Sequence, residues 1–144
     1  MILATEQETA AAGAALARVV RAGDVITLSG PLGVGKTALA RGLIVALGHA
    51  GDVPSPSFAI VQPYEDLDPP LWHVDLYRIE HEAEIEEIGL DAAADAVLLV
   101  EWPGRAGEQA WPDALRLSLE FAHDGERILT AKVPPSWERR WPPR

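Results

Sequence analysis

The segment Gly30-Pro31-Leu32-Gly33-Val34-Gly35-Lys36-Thr37 contains residues whose types and spacing could bind a polyphosphate. It matches the phosphate-loop (P-loop) pattern G-x-x-x-x-G-K-[ST] at every fixed position. The glycines let the backbone curl so that successive amide hydrogens point inward, and a following helix directs its positive end to the same point. In such a loop Lys36 would contact the β- and γ-phosphates of a nucleotide, and the Thr37 hydroxyl would be a ligand of Mg²⁺.

Acidic residues at the ends of two apolar segments are candidates for the metal and for catalysis. A P-loop protein needs a carboxylate at the end of a neighbouring buried strand to orient Mg²⁺. Glu101 follows the apolar run Ala96–Val100, and Asp75 follows the less apolar run Leu71–Val74. For each residue the alternative is a solvated carboxylate at the end of a strand.

The elements around the loop have the order that the motif requires. The β-branched run Val25–Leu28 predicts a strand that leads into the loop, and Ala38–Leu47 predicts the helix that follows it. Upstream, Thr5 and Glu8 have the spacing of a capping box, which predicts a helix over Glu6–Ala22 that ends near a glycine.

The rest of the chain predicts further strands, a short acidic helix over Glu80–Leu90 and a C-terminal hairpin around Asp124-Gly125. The strands are Phe58–Val61, Leu71–Leu76, Ala96–Val100, Leu115–Phe121 and Ile128–Val133. This order predicts an α/β fold: a single P-loop NTPase-like three-layer sandwich, with a largely parallel mixed sheet and a C-terminal antiparallel hairpin. We expect one domain over residues 1–133 and an irregular tail over 134–144, which is rich in proline.

Composition limits the partners of the protein. The chain has 144 residues, a net charge of −10, no cysteine and two lysines, Lys36 and Lys132. A protein that binds nucleic acid unaided usually has a basic surface, and this chain has too few cations to form one. The absence of cysteine excludes disulfides and thiolate metal sites. No apolar run is long enough for a membrane span, so we expect a cytoplasmic protein that does not bind membranes. The four histidines show no metal-ligand spacing and are interpreted as structural.

Several segments together resemble a known family. Gly30–Thr37, Ser55-Pro56-Ser57-Phe58, His73-Val74-Asp75-Leu76-Tyr77-Arg78 and Glu101-Trp102-Pro103 are similar, in order and approximate spacing, to the diagnostic segments of the TsaE family. The P-loop alone is shared with many families, whereas its combination with D-L-Y-R and E-W-P is specific. Pro31, Val34 and Ser57 depart from the residues common in the family, which affects the details of the loop.

The resemblance implies a Mg-dependent ATPase that supports threonylcarbamoyladenosine formation in tRNA together with the TsaD–TsaB complex, so that tRNA is reached only indirectly. It implies that ATP contacts Gly30, Gly33, Val34, Gly35, Lys36, Thr37, Ser57 and Thr9. It also implies that Glu101 and Thr37 hold the metal and that Asp75 and Glu101 are catalytic. Trp102 could flank the nucleotide or serve packing, and Thr9 could instead be a helical threonine that faces solvent.

Other classes of P-loop protein fit the sequence less well. A GTPase needs an Asn-Lys-x-Asp-type guanine reader and usually a D-x-x-G switch, and this sequence has no asparagine and no D-x-x-G. A small-molecule kinase usually adds an acceptor subdomain and a lid, for which the chain offers little material. A nucleotide-gated binding module with incidental hydrolysis remains open.

Overall fold

The computed structural model of the protein describes residues 1–54, 60–107 and 109–143. These residues form one mixed sheet with the strand order β1-β7-β6-β2-β5-β4-β3. Its strands are β1 (Ile2–Leu3), β2 (Val25–Ser29), β3 (Val61–Tyr64), β4 (Leu71–Asp75), β5 (Val97–Glu101), β6 (Leu115–Phe121) and β7 (Arg127–Lys132). The helices are α1 (Glu6–Leu16), α2 (Lys36–Ala46) and α3 (Ala83–Ile88). The predicted α/β fold is confirmed.

The centre of the sheet is parallel and its edges are antiparallel. β2 pairs in parallel with β5 and β6, and β4 pairs in parallel with β5. β6–β7, β1–β7 and β3–β4 are antiparallel pairs. β3 begins at Val61, at the end of the predicted strand. Phe58, the first residue of that predicted strand, lies outside the described residues. Pro63 is tolerated in β3 because this strand is at the edge of the sheet.

The two faces of the sheet are covered by different layers. Leu16, Leu39 and Leu43 from α1 and α2 pack with Ile26 and Leu28 of β2, and all five are almost completely buried. The opposite face is covered by α3 and a 3-10 turn, whose partly buried apolar residues pack against strands β4 and β5. The parallel centre of the sheet is therefore held between two apolar layers, as predicted.

α3 is shorter than the predicted helix over Glu80–Leu90. The Glu84 carboxylate accepts hydrogen bonds from the amides of Glu80 and His81, at 2.8 and 3.1 Å. These amides are thus satisfied by a side chain before the helix begins. At the other end Gly89 has φ = 75°, a left-handed conformation that stops the helix.

α1 ends at Leu16 and not near Ala22, because the C-terminal tail and the sheet bind the chain that follows it. Arg140 donates to the carbonyl of Val19 at 2.9 Å and forms a two-armed contact with Asp24 at 2.6 and 3.0 Å. Among the described residues of the tail, the structure has a 3-10 turn at Pro135–Trp137, and the Trp137 side chain is 1% exposed within the main core. The tail is thus packed onto the sheet domain.

Candidate nucleotide-binding site

The P-loop connects β2 to α2 and has the backbone conformation that its glycines permit. Gly30, Gly33 and Gly35 have φ values of 145°, 77° and 116°. A Cβ atom on Gly30 would come within 2.5 Å of the Leu119 carbonyl oxygen in β6. Gly30 therefore has a steric reason to be glycine in addition to its positive φ.

A cavity of about 460 Å³ lies beside this loop. It is lined by the loop, the start of α1, the carboxyl ends of β4 and β5 and the turn between β6 and β7. Ligands of open α/β sheets bind at the carboxyl ends of parallel strands, which is the edge that this cavity occupies. Eight of the predicted site residues line it: Thr9, Gly33, Val34, Gly35, Lys36, Thr37, Asp75 and Glu101. Gly30 is not among the lining residues, and Ser57 lies outside the described residues.

Lys36 lines the cavity and is buried, with 5% of its surface exposed. Its ammonium donates to the Gly30 carbonyl at 2.6 Å and lies 3.7 Å from the centre of the Trp102 ring. Burial lowers the pKa of Lys36, while the negative charges of Glu101 and Asp75 oppose this shift. A cation held at this place could bind a phosphate oxygen that enters the cavity.

Asp75 and Glu101 are the last residues of β4 and β5 and lie side by side in the sheet. Asp75 is 8% exposed and Glu101 is 3% exposed. Burial raises the pKa of Asp75; an amide hydrogen bond from Tyr77, at 2.9 Å, acts against this rise, and the Glu101 charge adds to it. Glu101 Oε2 lies 2.6 Å from His73 Nε2, within hydrogen-bonding distance.

The residues present fit a magnesium ion better than a metal held only by protein. No group of three His, Cys, Asp or Glu side chains suited to a metal occurs in the described part of the chain. Mg²⁺ usually takes one or two carboxylates plus phosphates and keeps several waters. The Thr37 hydroxyl and the Glu101 carboxylate, both on the cavity wall, form such an incomplete set.

Thr9 also lines the cavity and is 2% exposed. The interpretation of Thr9 as a threonine that faces solvent is therefore wrong. Its hydroxyl donates to the Thr5 carbonyl at 3.3 Å, and a Cβ atom on Gly35 would lie 3.5 Å from its methyl carbon. α1 thus contacts the P-loop through this residue.

Other residues of the cavity were not predicted. Arg127, at the start of β7, donates from Nε to the carbonyl of Val34 at 2.9 Å and lines the cavity with Gly125. Arg41, Thr5 and Glu6 also line it. No local motif marks Arg127, because the fold brings it to the loop from a distant part of the sequence. Trp102, which the sequence left open between packing and the pocket, lines the cavity and contacts Lys36.

Comparison with known proteins identifies the family of this chain. A sequence model of the family described as "Threonylcarbamoyl adenosine biosynthesis protein TsaE" matches residues 3–129. The chain belongs to the TsaE family. It is 45% identical, over 114 residues, to the tRNA threonylcarbamoyladenosine biosynthesis protein TsaE of Streptomyces coelicolor, covering 76% of this chain and 77% of the relative. The protein of the same name from Bacillus subtilis is 40% identical over 126 residues, with 86% of this chain and 78% of the relative covered.

A solved structure supports the same TsaE assignment. The crystal structure of YdiB from Bacillus subtilis superimposes with a TM-score of 0.81 at 32% sequence identity, covering 96% of this chain and 87% of that one. The segments that carried the resemblance in the sequence, apart from the undescribed Ser55–Phe58, therefore lie on the framework of the family. Nowhere in the described ranges does a helix have the length and apolar character needed to cross a membrane.

Proposed function

We propose that this TsaE-family protein binds and hydrolyses ATP with Mg²⁺ and that it supports threonylcarbamoyladenosine modification of tRNA. One observation carries the proposal: the cavity combines the P-loop with Lys36, Thr37 and two buried carboxylates. The first three features suit polyphosphate, and the carboxylates lie where a metal and a water molecule are oriented in P-loop proteins. The names of the relatives supply the pathway.

Each side chain has a proposed role in phosphoryl transfer. Lys36 leaves the Gly30 carbonyl to bind β- and γ-phosphate oxygens, and the P-loop amides bind the remaining charge. Thr37 and Glu101 would hold Mg²⁺, which when bound neutralises charge that develops on the phosphates. Asp75 orients the attacking water and can accept its proton, since its raised pKa makes the carboxylate a stronger base. We also place Thr9 next to the nucleotide, and Ser57, outside the described residues, near the γ-phosphate.

The charge of the chain favours an indirect action on tRNA. With a net charge of −10, the isolated protein is expected to be repelled by a polyanion at physiological ionic strength. A protein partner must then provide the contact with tRNA, and the family resemblance suggests the TsaD–TsaB pair in the cytoplasm. Bound ATP would favour docking if it orders surfaces around the mouth of the cavity.

Calorimetric titration with ATP tests the nucleotide site. The wild-type protein should bind ATP, and Lys36→Ala should lower the affinity at least about tenfold, which equals about 1.4 kcal/mol. Lys132→Ala is the matched control, because it removes the other lysine of the chain, which does not line this cavity. Unchanged ATP affinity in a folded Lys36→Ala protein would refute the phosphate assignment.

A mobility-shift titration with tRNA tests the indirect action. The isolated chain should give no shift at physiological salt, whereas the chain with TsaD–TsaB and ATP should join a complex that contains tRNA. Tight binding of tRNA by the isolated chain would contradict the charge argument. If the chain hydrolyses ATP but never joins the TsaD–TsaB pair, the proposed role in tRNA modification is wrong, whereas the proposed ATPase activity still holds.

A further inference from the structure

His73 contacts Glu101 in the interior of the sheet and does not line the cavity. Its Nε2 atom lies 2.6 Å from Glu101 Oε2, and the two side chains are 0% and 4% exposed. The two residues come from neighbouring parallel strands, with His73 beside Leu99 and Asp75 beside Glu101. The contact is therefore diagonal across β4 and β5, on the face that carries both carboxylates.

Burial makes this hydrogen bond important for Glu101. A carboxylate that is removed from water needs a donor to offset its lost hydration. Among the hydrogen bonds of the described residues, the bond from His73 is the one that reaches the Glu101 side chain. It engages Oε2, and Glu101 also lines the cavity, so we infer that Oε1 is the oxygen available to the nucleotide side.

The surroundings of the imidazole indicate which nitrogen carries the hydrogen. Nδ1 is buried and has no hydrogen-bond partner in the described part of the protein. A neutral imidazole has one donor and one acceptor nitrogen. A hydrogen on Nε2 gives Glu101 its donor, whereas a hydrogen on Nδ1 would leave a buried N–H unpaired and place two acceptors 2.6 Å apart. We assign the Nε2–H form from this network.

We propose that His73 is a positioning residue for the nucleotide-bound metal: its Nε2–H holds Glu101 in the one orientation that presents Oε1 to the cavity. His73 does not touch the nucleotide or the metal. This inference rests on the proposed function, because it assumes that Glu101 serves Mg²⁺. Removing a residue that forms a hydrogen bond to a metal ligand typically lowers metal affinity or activity by about 10- to 100-fold.

The test uses two substitutions that differ in one property. His73→Gln places an amide N–H near the position of Nε2 and keeps the donor, whereas His73→Leu removes it at similar volume. His81→Leu, at an exposed position, is the control for loss of a histidine. For each folded protein, Mn²⁺ binding to the complex with a non-hydrolysable ATP analogue is titrated by electron paramagnetic resonance, and metal-free binding of the analogue by calorimetry.

We expect His73→Leu to weaken Mn²⁺ binding about 10- to 100-fold with nearly unchanged metal-free binding of the analogue. His73→Gln should recover most of the loss, and His81→Leu should match the wild type. Equal Mn²⁺ affinity in His73→Leu and the wild type would overturn the proposal. An equal loss in the Leu and Gln variants would also overturn it, since packing alone would then explain the effect.

A spectroscopic measurement keeps the proposal testable if His73→Leu does not fold. In the wild-type protein, ¹⁵N-edited NMR of the imidazole should show the Nε2–H form, and Glu101→Gln should shift the His73 signals. An Nδ1–H form would overturn the proposal, because it cannot donate from Nε2. This readout needs no nucleotide, so it tests the positioning role of His73 separately from the proposed function. A wild-type protein that fails to bind Mg-ATP would refute the proposed function, whichever nitrogen of His73 carries the hydrogen.

Discussion

Arg127 of β7 donates through Nε to the backbone carbonyl of Val34 in the P-loop, at 2.9 Å, across 93 residues of sequence. The same guanidinium donates to the carbonyls of Gly125 and Glu126, at 2.9 and 3.2 Å, and lies over the Phe121 ring. The C-terminal hairpin is thereby attached to the phosphate-binding loop. The hairpin also contributes to the cavity wall, so it belongs to the candidate site.

The first prediction concerns this attachment. Arg127→Ala should lower ATP affinity about tenfold, or about 1.4 kcal/mol, because a hydrogen bond from a charged group that fixes the loop is lost. Arg127→Lys should recover only part of the loss, since an ammonium lacks the planar fork that reaches several carbonyls at once. The measurement is a calorimetric ATP titration, with Arg18→Ala at an exposed position as the control. Wild-type affinity in a folded Arg127→Ala protein would show that the loop does not need the hairpin.

The second prediction separates chemistry from binding at Asp75. Asp75→Asn keeps an oxygen that can accept the Tyr77 amide but removes the base, so hydrolysis should slow about 100-fold. Metal-free ATP binding should change little. The rate is measured with the partner proteins present, and Asp113→Asn, an exposed aspartate, is the control. A wild-type rate in Asp75→Asn would remove Asp75 from the catalytic site.

The third prediction follows from the raised pKa of Asp75. The folded protein keeps a proton on this carboxyl at pH values where the unfolded chain has lost it, so the free energy of unfolding falls as the pH rises through this window. The window starts near the ordinary aspartate pKa, about 4, and extends upward. The Asp75→Asn protein has no ionisable group at this position, so its free energy of unfolding does not fall for this reason. Urea unfolding between about pH 4 and pH 7 should therefore show that the variant gains stability relative to the wild type as the pH rises. If the difference in the free energy of unfolding between the two proteins stays constant with pH, or changes in the opposite direction, the prediction is contradicted.

The fourth prediction concerns the contact between α1 and α2. A Cβ atom on Gly13 would lie 1.9 Å from the Leu39 carbonyl oxygen, and one on Gly42 would lie 2.0 Å from that of Ala10. The two helices therefore approach each other through a glycine on each side. Helix propensity alone would make Gly13→Ala stabilising by about 1 kcal/mol. The steric conflict should reverse this and cost about 3 kcal/mol or more, because backbone atoms must move.

Chemical denaturation measures this effect of Gly13→Ala. Ala11→Gly, at an exposed position of the same helix, is the control and should cost only about 1 kcal/mol. A Gly13→Ala protein as stable as the wild type would show that the helices can separate without loss. Because α1 carries Thr9 and α2 carries Lys36 and Thr37, the variant is also expected to bind ATP more weakly.

The parts of the site that could be predicted from sequence are those in which neighbouring residues do the work. The P-loop is one continuous segment, and Asp75 and Glu101 each end an apolar run, so local pattern was enough to find them. The capping box of α1 is equally local and is confirmed, with the Glu8 amide bonded to the Thr5 hydroxyl at 3.1 Å.

The parts that could not be predicted depend on contacts between distant residues. The end of α1 is set partly by Arg140, whose bonds to Val19 and Asp24 join the tail to the start of β2. Arg127 reaches the P-loop only because β7 pairs with β6 beside β2. His73 was interpreted as structural, since no spacing in the sequence shows that β4 and β5 lie side by side. The role of Ser57 stays a prediction.

The last prediction concerns Tyr64, whose side chain is 4% exposed while its hydroxyl is buried without a hydrogen-bond partner in the described structure. A buried hydroxyl that has lost its water costs free energy, and Phe has the same ring without this group. Tyr64→Phe should therefore be neutral or stabilising by up to about 1 kcal/mol, and it should keep the edge contact with His49. Thermal and urea unfolding give the free energy, and Tyr77→Phe, at an exposed tyrosine, is the control.

Alkaline pH gives this prediction a second, independent readout. Burial raises the pKa of Tyr64, so above about pH 10, the ordinary range of tyrosine, the unfolded chain releases a proton that the folded protein keeps. The free energy of unfolding of the wild type should consequently fall with rising pH in this range, and the part due to Tyr64 should be absent in Tyr64→Phe. A loss of more than about 1 kcal/mol in Tyr64→Phe at neutral pH would mean that the hydroxyl has a partner after all, because only a satisfied hydroxyl stabilises the fold when buried.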